Sequence, residues 1–180
     1  MTDDAIPAAT LILVRDRIDG APELLMVERA GRMAFAAGAL VFPGGRIDAA
    51  DSDLATDVGT DAALIAAIRE TLEETAIPVG LAPIPDAATA LDMQRRLLAG
   101  ATLRDLAVGL EPAALQPFAR WVPAFHAVRR FDTMFYLAPC PPGDWQPNTV
   151  AGECAGAEWV TAARVLERER LGQARLIFPT

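Results

Sequence analysis

At 180 residues and 52% hydrophobic content the chain has the size of one domain and ample core material, while a net charge of −8 and a pI near 4.6 argue against broad binding to nucleic acid, which needs a basic footprint. All 16 basic residues are arginine, so Schiff-base chemistry, a P-loop lysine and a kinase-type phosphate lysine are excluded. His126 is the single histidine: zinc sites built on several histidines are excluded, and a Ser-His or Cys-His mechanism would rest on that one residue.

In chain order, Met1-Thr2-Asp3-Asp4 is acidic and lacks the basic and apolar regions of a signal peptide, and no apolar run reaches bilayer length. A cytoplasmic address without a membrane partner is the expectation. A strand is predicted from Ala8 to Asp16, a turn from Ile18 to Pro22 marked by Asp19-Gly20, and a second strand from Glu23 to Arg29. A short apolar run from Ala39 to Phe42 then enters a glycine loop, Pro43-Gly44-Gly45-Arg46, whose backbone can turn sharply and approach a ligand closely. Ser52 to Asp61 reads as a loop that delays a helix over about Asp61 to Thr75. From Pro78 to Pro117 the pattern changes to helical pieces, about Ala87 to Leu98 and Leu103 to Leu110, broken by Gly100 and Gly109; this segment reads as an insertion in a single domain spanning the chain. Strand character returns at Phe118 to Val122 and Arg129 to Leu137, a proline-rich loop follows at Pro139 to Pro147, and Trp159-Val160 leads into a last helix near Thr161 to Glu169. Strands and helices mixed without regular βα alternation fit an α/β sandwich with a mixed sheet. Cys140 and Cys154 match neither a disulfide framework nor a Cys-x-x-Cys metal pair and read as reduced and structural.

The predicted helix ending at Thr75 carries Arg69-Glu70-Thr71-Leu72-Glu73-Glu74. At about 100° per residue, Glu70, Glu73 and Glu74 fall within roughly 100° of one another, and Leu64, Ile65, Ile68 and Leu72 within roughly 100° on the opposite side. One face is core and the other is acid. Like charges on neighbouring turns oppose helix formation by a few tenths of a kcal/mol per pair, so a gathered cation would relieve them, and hard oxygen ligands favour Mg²⁺ or Mn²⁺. Taken alone, the cluster reads as readily as a solvated acidic face.

The glycine loop and this helix together resemble the Nudix box, in which Gly-x5-Glu is followed by Arg-Glu-apolar-x-Glu-Glu-x-Gly-apolar. Counting from Gly45, the loop acid is Asp51 rather than Glu, the gap from Asp51 to Arg69 is ten residues longer than the family pattern, Thr71 stands at an apolar position and Ala76 replaces the final glycine. Leu24-Leu25-Met26-Val27-Glu28-Arg29 with Met33, Gly38 and Phe42-Pro43-Gly44-Gly45 has the spacing of the signature preceding the box in coenzyme A diphosphatases, although Ala34 and Ala36 replace its Arg and His. Arg129 to Tyr136 and Glu153 to Val160 are similar to segments of the branch that contains the peroxisomal coenzyme A diphosphatase. The likeness spans roughly residues 8 to 180. It implies a Nudix-type α/β/α sandwich with a mixed sheet and a helical insertion.

It also implies a hydrolase that uses Mg²⁺ or Mn²⁺ to cleave the diphosphate of a nucleoside diphosphate derivative: coenzyme A or acyl-coenzyme A first, ADP-ribose or a nucleotide sugar next. A scaffold that binds nucleotides with little turnover is the rival from a different class. Glu73 and Glu74 are assigned as metal ligands, with Glu70 either a third ligand or the residue that orients or deprotonates the water, and a carbonyl of Gly44 or Gly45 completes the shell as the resemblance implies. Arg69 is expected to fix the loop and the acids through a bidentate pair. Glu153 is a candidate further ligand or base and equally a solvated loop acid. Arg29, Arg46 and Arg130 are candidate phosphate clamps and equally structural partners, Arg130 having Asp132 two residues on. Phe131, Phe135, Tyr136 and Trp121 offer surfaces for a base but read first as core. Homodimer formation is left open. Family members continue beyond a stretch like Arg175 to Thr180, so a trimmed C-terminus is expected.

Overall fold

The computed structural model describes residues 5–30, 38–123, 130–150, 154–177 and 179–180. Its organising strand is β1 (Ile6–Arg15), in which Ala9, Leu11 and Leu13 are fully buried while Thr10, Ile12 and Val14 are half-buried, the two-residue alternation of a pleated strand. On one side β1 runs parallel to β6 (Phe131–Pro139), from Ile6 opposite Phe131 to Val14 opposite Pro139. On the other it divides between two antiparallel partners. Ala8 to Thr10 pair with β4 (Gly44–Arg46), and Val14 and Arg15 pair with β2 (Glu23–Arg29). That division brings the glycines against the first half of β1.

The mixed sheet extends outward from there. β5 (Gln116–Trp121) is antiparallel to β6, β7 (Cys154–Thr161) pairs along β2, and β3 (Ala39–Val41) joins β2 to the short parallel strand β8 (Arg175–Leu176). Four α-helices are described: α1 (Ala49–Val58), α2 (Ala62–Thr75), α3 (Ala87–Leu98) and α4 (Ala162–Arg170). Leu25 of β2 points into the larger core, with Leu11, Leu13, Ile65, Ile68, Leu72 and Tyr136, whereas its neighbour Met26 points into a smaller one with Leu40, Val160 and Val165 of α4. Helices therefore cover both faces, the α/β/α arrangement. No helix among the described residues is long and apolar enough to cross a membrane.

The box helix α2 and the inserted α3 lie where the sequence puts them. The stretch read as a loop from Ser52 to Asp61 does not: most of it is helix α1. Asp48 precedes the helix and its amide N–H donates to Asp51 Oδ2 at 2.9 Å, a local signal that closes the first turn, and Gly59 ends it. Only Asp51 and Ala55 of α1 are buried, so its hydrophobic periodicity is too weak to announce a helix. The glycine loop is partly strand β4, recruited by β1. The segment Leu103 to Leu110 holds a single 3₁₀ turn, Arg104–Leu106, rather than a helix, and the two-residue strand β8 adds an element that the sequence pattern does not announce. Asp132 pairs with Arg120 across the β5–β6 ladder, Nε to Oδ1 at 2.7 Å, rather than with Arg130. Arg120 lies opposite Met134, which makes Asp132 its diagonal cross-strand neighbour, within reach of a long arginine side chain.

Candidate active site

The last two turns of α2 carry the acids. Asp61 caps the helix, accepting the Ala63 N–H at 2.8 Å, and the apolar face seats α2 on β1, which leaves Glu70, Glu73 and Glu74 toward β4. Gly45 makes this approach possible: a Cβ there would collide with the Glu70 carboxylate. Gly44 is equally constrained on its other side, since a Cβ would strike the carbonyl oxygen of Ala9, and its φ of +154° is one that other residues rarely adopt.

Arg69 organises the cluster. Its Nε and Nη2 straddle the Asp51 carboxylate, Nε to Oδ1 at 3.0 Å and Nη2 to Oδ2 at 3.0 Å. Nη2 also donates to the Arg46 carbonyl at 2.9 Å, while Nη1 lies 3.0 Å from Glu70 Oε1 and 3.1 Å from Glu73 Oε2. Asp51 is 2% exposed and Arg69 9%, so this is a buried bidentate pair linking the first turn of α1 to α2. Burial works against the guanidinium charge, but the Asp51 hydrogen bond and the charges of Glu70, Asp51 and Glu73 outweigh it and hold the arginine protonated. Glu74 sits more deeply. It accepts the Gly44 N–H at 3.1 Å and faces the Cys154 thiol at 3.6 Å. Burial, then the charge of Glu70, pushes its carboxyl up to about 8, against the pull of the Gly44 amide, Cys154 and Arg29.

These groups line one side of a cleft of about 1080 Å³. Arg29, Arg46 and Arg175 line it too, as do Trp121, Phe131 and Phe135 from β5 and β6. Among the described residues no three carboxylate, thiol or imidazole groups converge to hold a metal ion as they stand, because Glu70 and Glu73 turn to Arg69 and Glu74 to Gly44. The donor set nonetheless suits a hard divalent cation: all-oxygen carboxylates share one cleft, and Glu74, whose carboxyl is pushed up by burial and then by the charge of Glu70, is the group that a cation between them would return to the ionised form.

A Nudix hydrolase from Alicyclobacillus acidocaldarius superposes on the chain with a TM-score of 0.80 and 27% identity, covering 100% of this chain and 89% of that one. A curated relative from Citrobacter koseri, described as the uncharacterized Nudix hydrolase NudL, is 38% identical over 88 residues. In fold along its whole length and in sequence over part of it, the chain is similar to Nudix hydrolases. The NudL match covers 46% of this chain and only 40% of the relative's length. The Nudix domain of Shewanella oneidensis NrtR, solved with ADP ribose, shares the fold alone, with a TM-score of 0.55 and 16% identity over 93% of this chain and 88% of that one. No family model matches the chain.

Of the residues singled out from the sequence, the Nudix fold brings Arg69, Glu70, Glu73, Glu74, Gly44, Gly45, Arg29 and Arg46 to the cleft. Arg130 is not in its lining; its Nε donates to the Pro123 carbonyl at 3.2 Å. Tyr136 is core, 2% exposed. Glu153, His126, Arg129 and the coenzyme-signature positions Met33, Ala34 and Ala36 lie outside the described residues. Sequence reasoning missed Arg175, which reaches the cleft on a two-residue strand with no periodicity to reveal it, and Cys154, whose contact with Glu74 joins residues 80 apart in the chain. Neither cysteine is in a disulfide, and burial raises the Cys140 thiol to about 11.

Proposed function

We propose that this Nudix-fold chain is a Mg²⁺- or Mn²⁺-dependent pyrophosphohydrolase that cleaves the diphosphate linkage of a nucleoside diphosphate derivative, releasing two monophosphates. One observation carries the reading: three glutamates on the last two turns of α2 face a cleft lined also by arginines and aromatic rings, with Arg69 set among them by a buried pair. Glu73 and Glu74 would hold the cation, with a carbonyl of Gly44 or Gly45 and, as third ligand or as the group that orients and deprotonates water, Glu70. A bound divalent ion supplies charge neutralisation on the phosphate oxygens and an acidified water. Arg69 keeps the acids in place, and Arg29, Arg46 and Arg175 offer phosphate contacts from the cleft lining.

Coenzyme A or an acyl-coenzyme A is the first substrate class, supported by the partial signature from Leu24 to Arg29 and at Phe42 to Gly45. ADP-ribose or a nucleotide sugar is the second, and the NrtR domain holds ADP ribose within the same fold. Trp121, Phe131 and Phe135 provide ring faces on which a base can stack. The test is product release from coenzyme A, ADP-ribose and dinucleotides with Mg²⁺ or Mn²⁺. Two monophosphates appearing only with the metal is the expected result. Tight nucleotide binding without turnover under any metal would replace this reading with a nucleotide-binding module.

A further inference from the structure

Helix α3, the centre of the insertion, lies against the C-terminal end of α2. From it Gln94, fully buried, reaches the box helix. Its Nε2 donates to the carbonyl of Glu73 at 3.0 Å and to that of Asn148 at 2.8 Å, and its Oε1 accepts the Asn148 Nδ2 at 2.7 Å. Asn148 returns to the same helix end, its amide N–H donating to the Thr75 carbonyl at 2.8 Å. A helix leaves its last four carbonyls without intrahelical partners. In α2 the Leu72 carbonyl takes the Ala76 N–H at 2.9 Å, and the Glu73 and Thr75 carbonyls take Gln94 and Asn148.

The choice of donor matters. α2 has no basic residue in its last turn, although three glutamates stand near the end where the helix dipole is negative. A lysine or arginine there would satisfy the carbonyls and compete with a cation for the acids; neutral amides satisfy them without competing. Packing alone would be met by Leu or Met, whereas a buried amide with both ends partnered fixes one orientation. We propose that Gln94, oriented by Asn148, is a positioning residue for the cation-binding carboxylates: by pinning the Glu73 carbonyl it sets the direction of the last turn of α2, so that Glu73 and Glu74 address the cleft together. The inference rests on the metal-dependent reading above.

The experiment compares three variants with wild type by Mn²⁺ calorimetry, steady-state kinetics and urea unfolding, at a temperature where all are folded. Gln94→Met keeps volume and removes both donors; its Mn²⁺ Kd should rise about tenfold or more and kcat should fall with it, since partners behind metal ligands typically matter by about 10- to 100-fold, while the substrate KM stays near wild type. Asn148→Ala, at an exposed position, should show a smaller shift of the same sign. Met93→Ala opens a cavity on the same helix and loses stability, yet should keep the wild-type Mn²⁺ affinity. Wild-type Mn²⁺ affinity in Gln94→Met, or an equal loss in Met93→Ala, would overturn the proposal by reducing α3 to scaffold. If Gln94→Met does not fold, Asn148→Ala decides, and unchanged affinity there overturns it. Wild-type protein that binds no Mn²⁺ removes the metal-dependent reading first and this inference with it, before any substitution is made.

Discussion

The acid side of the cleft and the rest of its lining are built in different ways. On the acid side, Arg69 alone joins Asp51, Glu70, Glu73 and the Arg46 carbonyl, and Glu74 is held between a strand amide and a thiol. The remaining lining draws Arg29 from β2, Arg175 from β8 and aromatic rings from β5 and β6, strands far apart in the chain. Arg29 Nε is buried and, among the described residues, has no hydrogen-bond partner. On the function proposed above, the reaction chemistry would come from one helix and its immediate neighbours, over-determined by shared hydrogen bonds, whereas recognition would be an assembly of separate contributions. Damage should therefore be severe and cooperative on the first side, graded and additive on the second.

The largest effect should come from the acids. Glu73→Gln and Glu74→Gln are each expected to lower kcat by about a thousandfold while the fold survives, because one ligand's share of transition-state charge stabilisation is worth several kcal/mol and each 1.36 kcal/mol is about tenfold. Unchanged Mn²⁺ affinity in both variants, measured by calorimetry, would sink the ligand assignment. Asp51→Ala comes next, with a loss of about 3–5 kcal/mol of stability by urea unfolding, because the Arg69 charge is left buried without its main partner. A loss under about 0.5 kcal/mol, typical of a surface substitution, would mean that the acid side is less tightly built than its geometry implies.

The protonation of Glu74 gives a third test. Its folded-state pKa is raised from 4.5 to about 8, so the native state holds this proton more tightly than the unfolded chain. The resulting stabilisation is fully present below about 4.5 and lost as pH rises through about 8, and Mn²⁺, which competes with the proton, should bind more tightly with pH up to the same value. Metal-free Glu74→Gln should lack that decline; parallel stability curves for variant and wild type from pH 5 to 9 would assign the decline to other groups.

On the recognition side, Arg29→Ala and Arg175→Ala should each reduce kcat/KM by about tenfold or less, as a lost charged contact is worth about 1.5–3 kcal/mol at most. Their effects should add. With Ala34 and Ala36 in place of the charged pair of the coenzyme signature, coenzyme A should be hydrolysed without strong preference over at least one other nucleoside diphosphate derivative. A panel in which coenzyme A leads by about a hundredfold, or roughly 2.7 kcal/mol, would show recognition to be as concentrated as catalysis. The smallest effect is at the end of the box helix, where Ala76 holds a left-handed conformation at φ 58°. Ala76→Gly should raise stability by about 1 kcal/mol or less, relieved strain being partly offset by the lost methyl burial; a lower melting temperature would show that the methyl matters more.

The same contrast explains what could be read from the residues alone. The box helix was legible because Leu64, Ile65, Ile68 and Leu72 repeat at helical spacing while three acids share the other face, and α3 because polar and apolar residues alternate at that period between clear breaks. Helix α1 was not, since it buries Asp51 and Ala55 and little else, and its identity lies in local capping at Asp48. β4 and β8 exist because longer neighbours recruit them, and a two- or three-residue strand has no period of its own. Gln94, Asn148, Cys154 and Arg175 act through contacts between distant parts of the chain, and a side chain's neighbours across such distances leave no mark in its local sequence.

Asp51 sits in the first turn of α1 and Arg69 in the second half of α2, and the ten additional residues between them are folded away as a helix packed on its neighbour. The separation of the pair in space is thus independent of their separation along the chain. A description of such proteins that fixes the count of residues between the loop acid and the arginine will pass over chains that differ only in this spacer. One written as a salt-bridged pair beside a glutamate triplet, whatever lies between, would collect them, and would predict that the spacer varies freely in length as long as its first turn still delivers the acid.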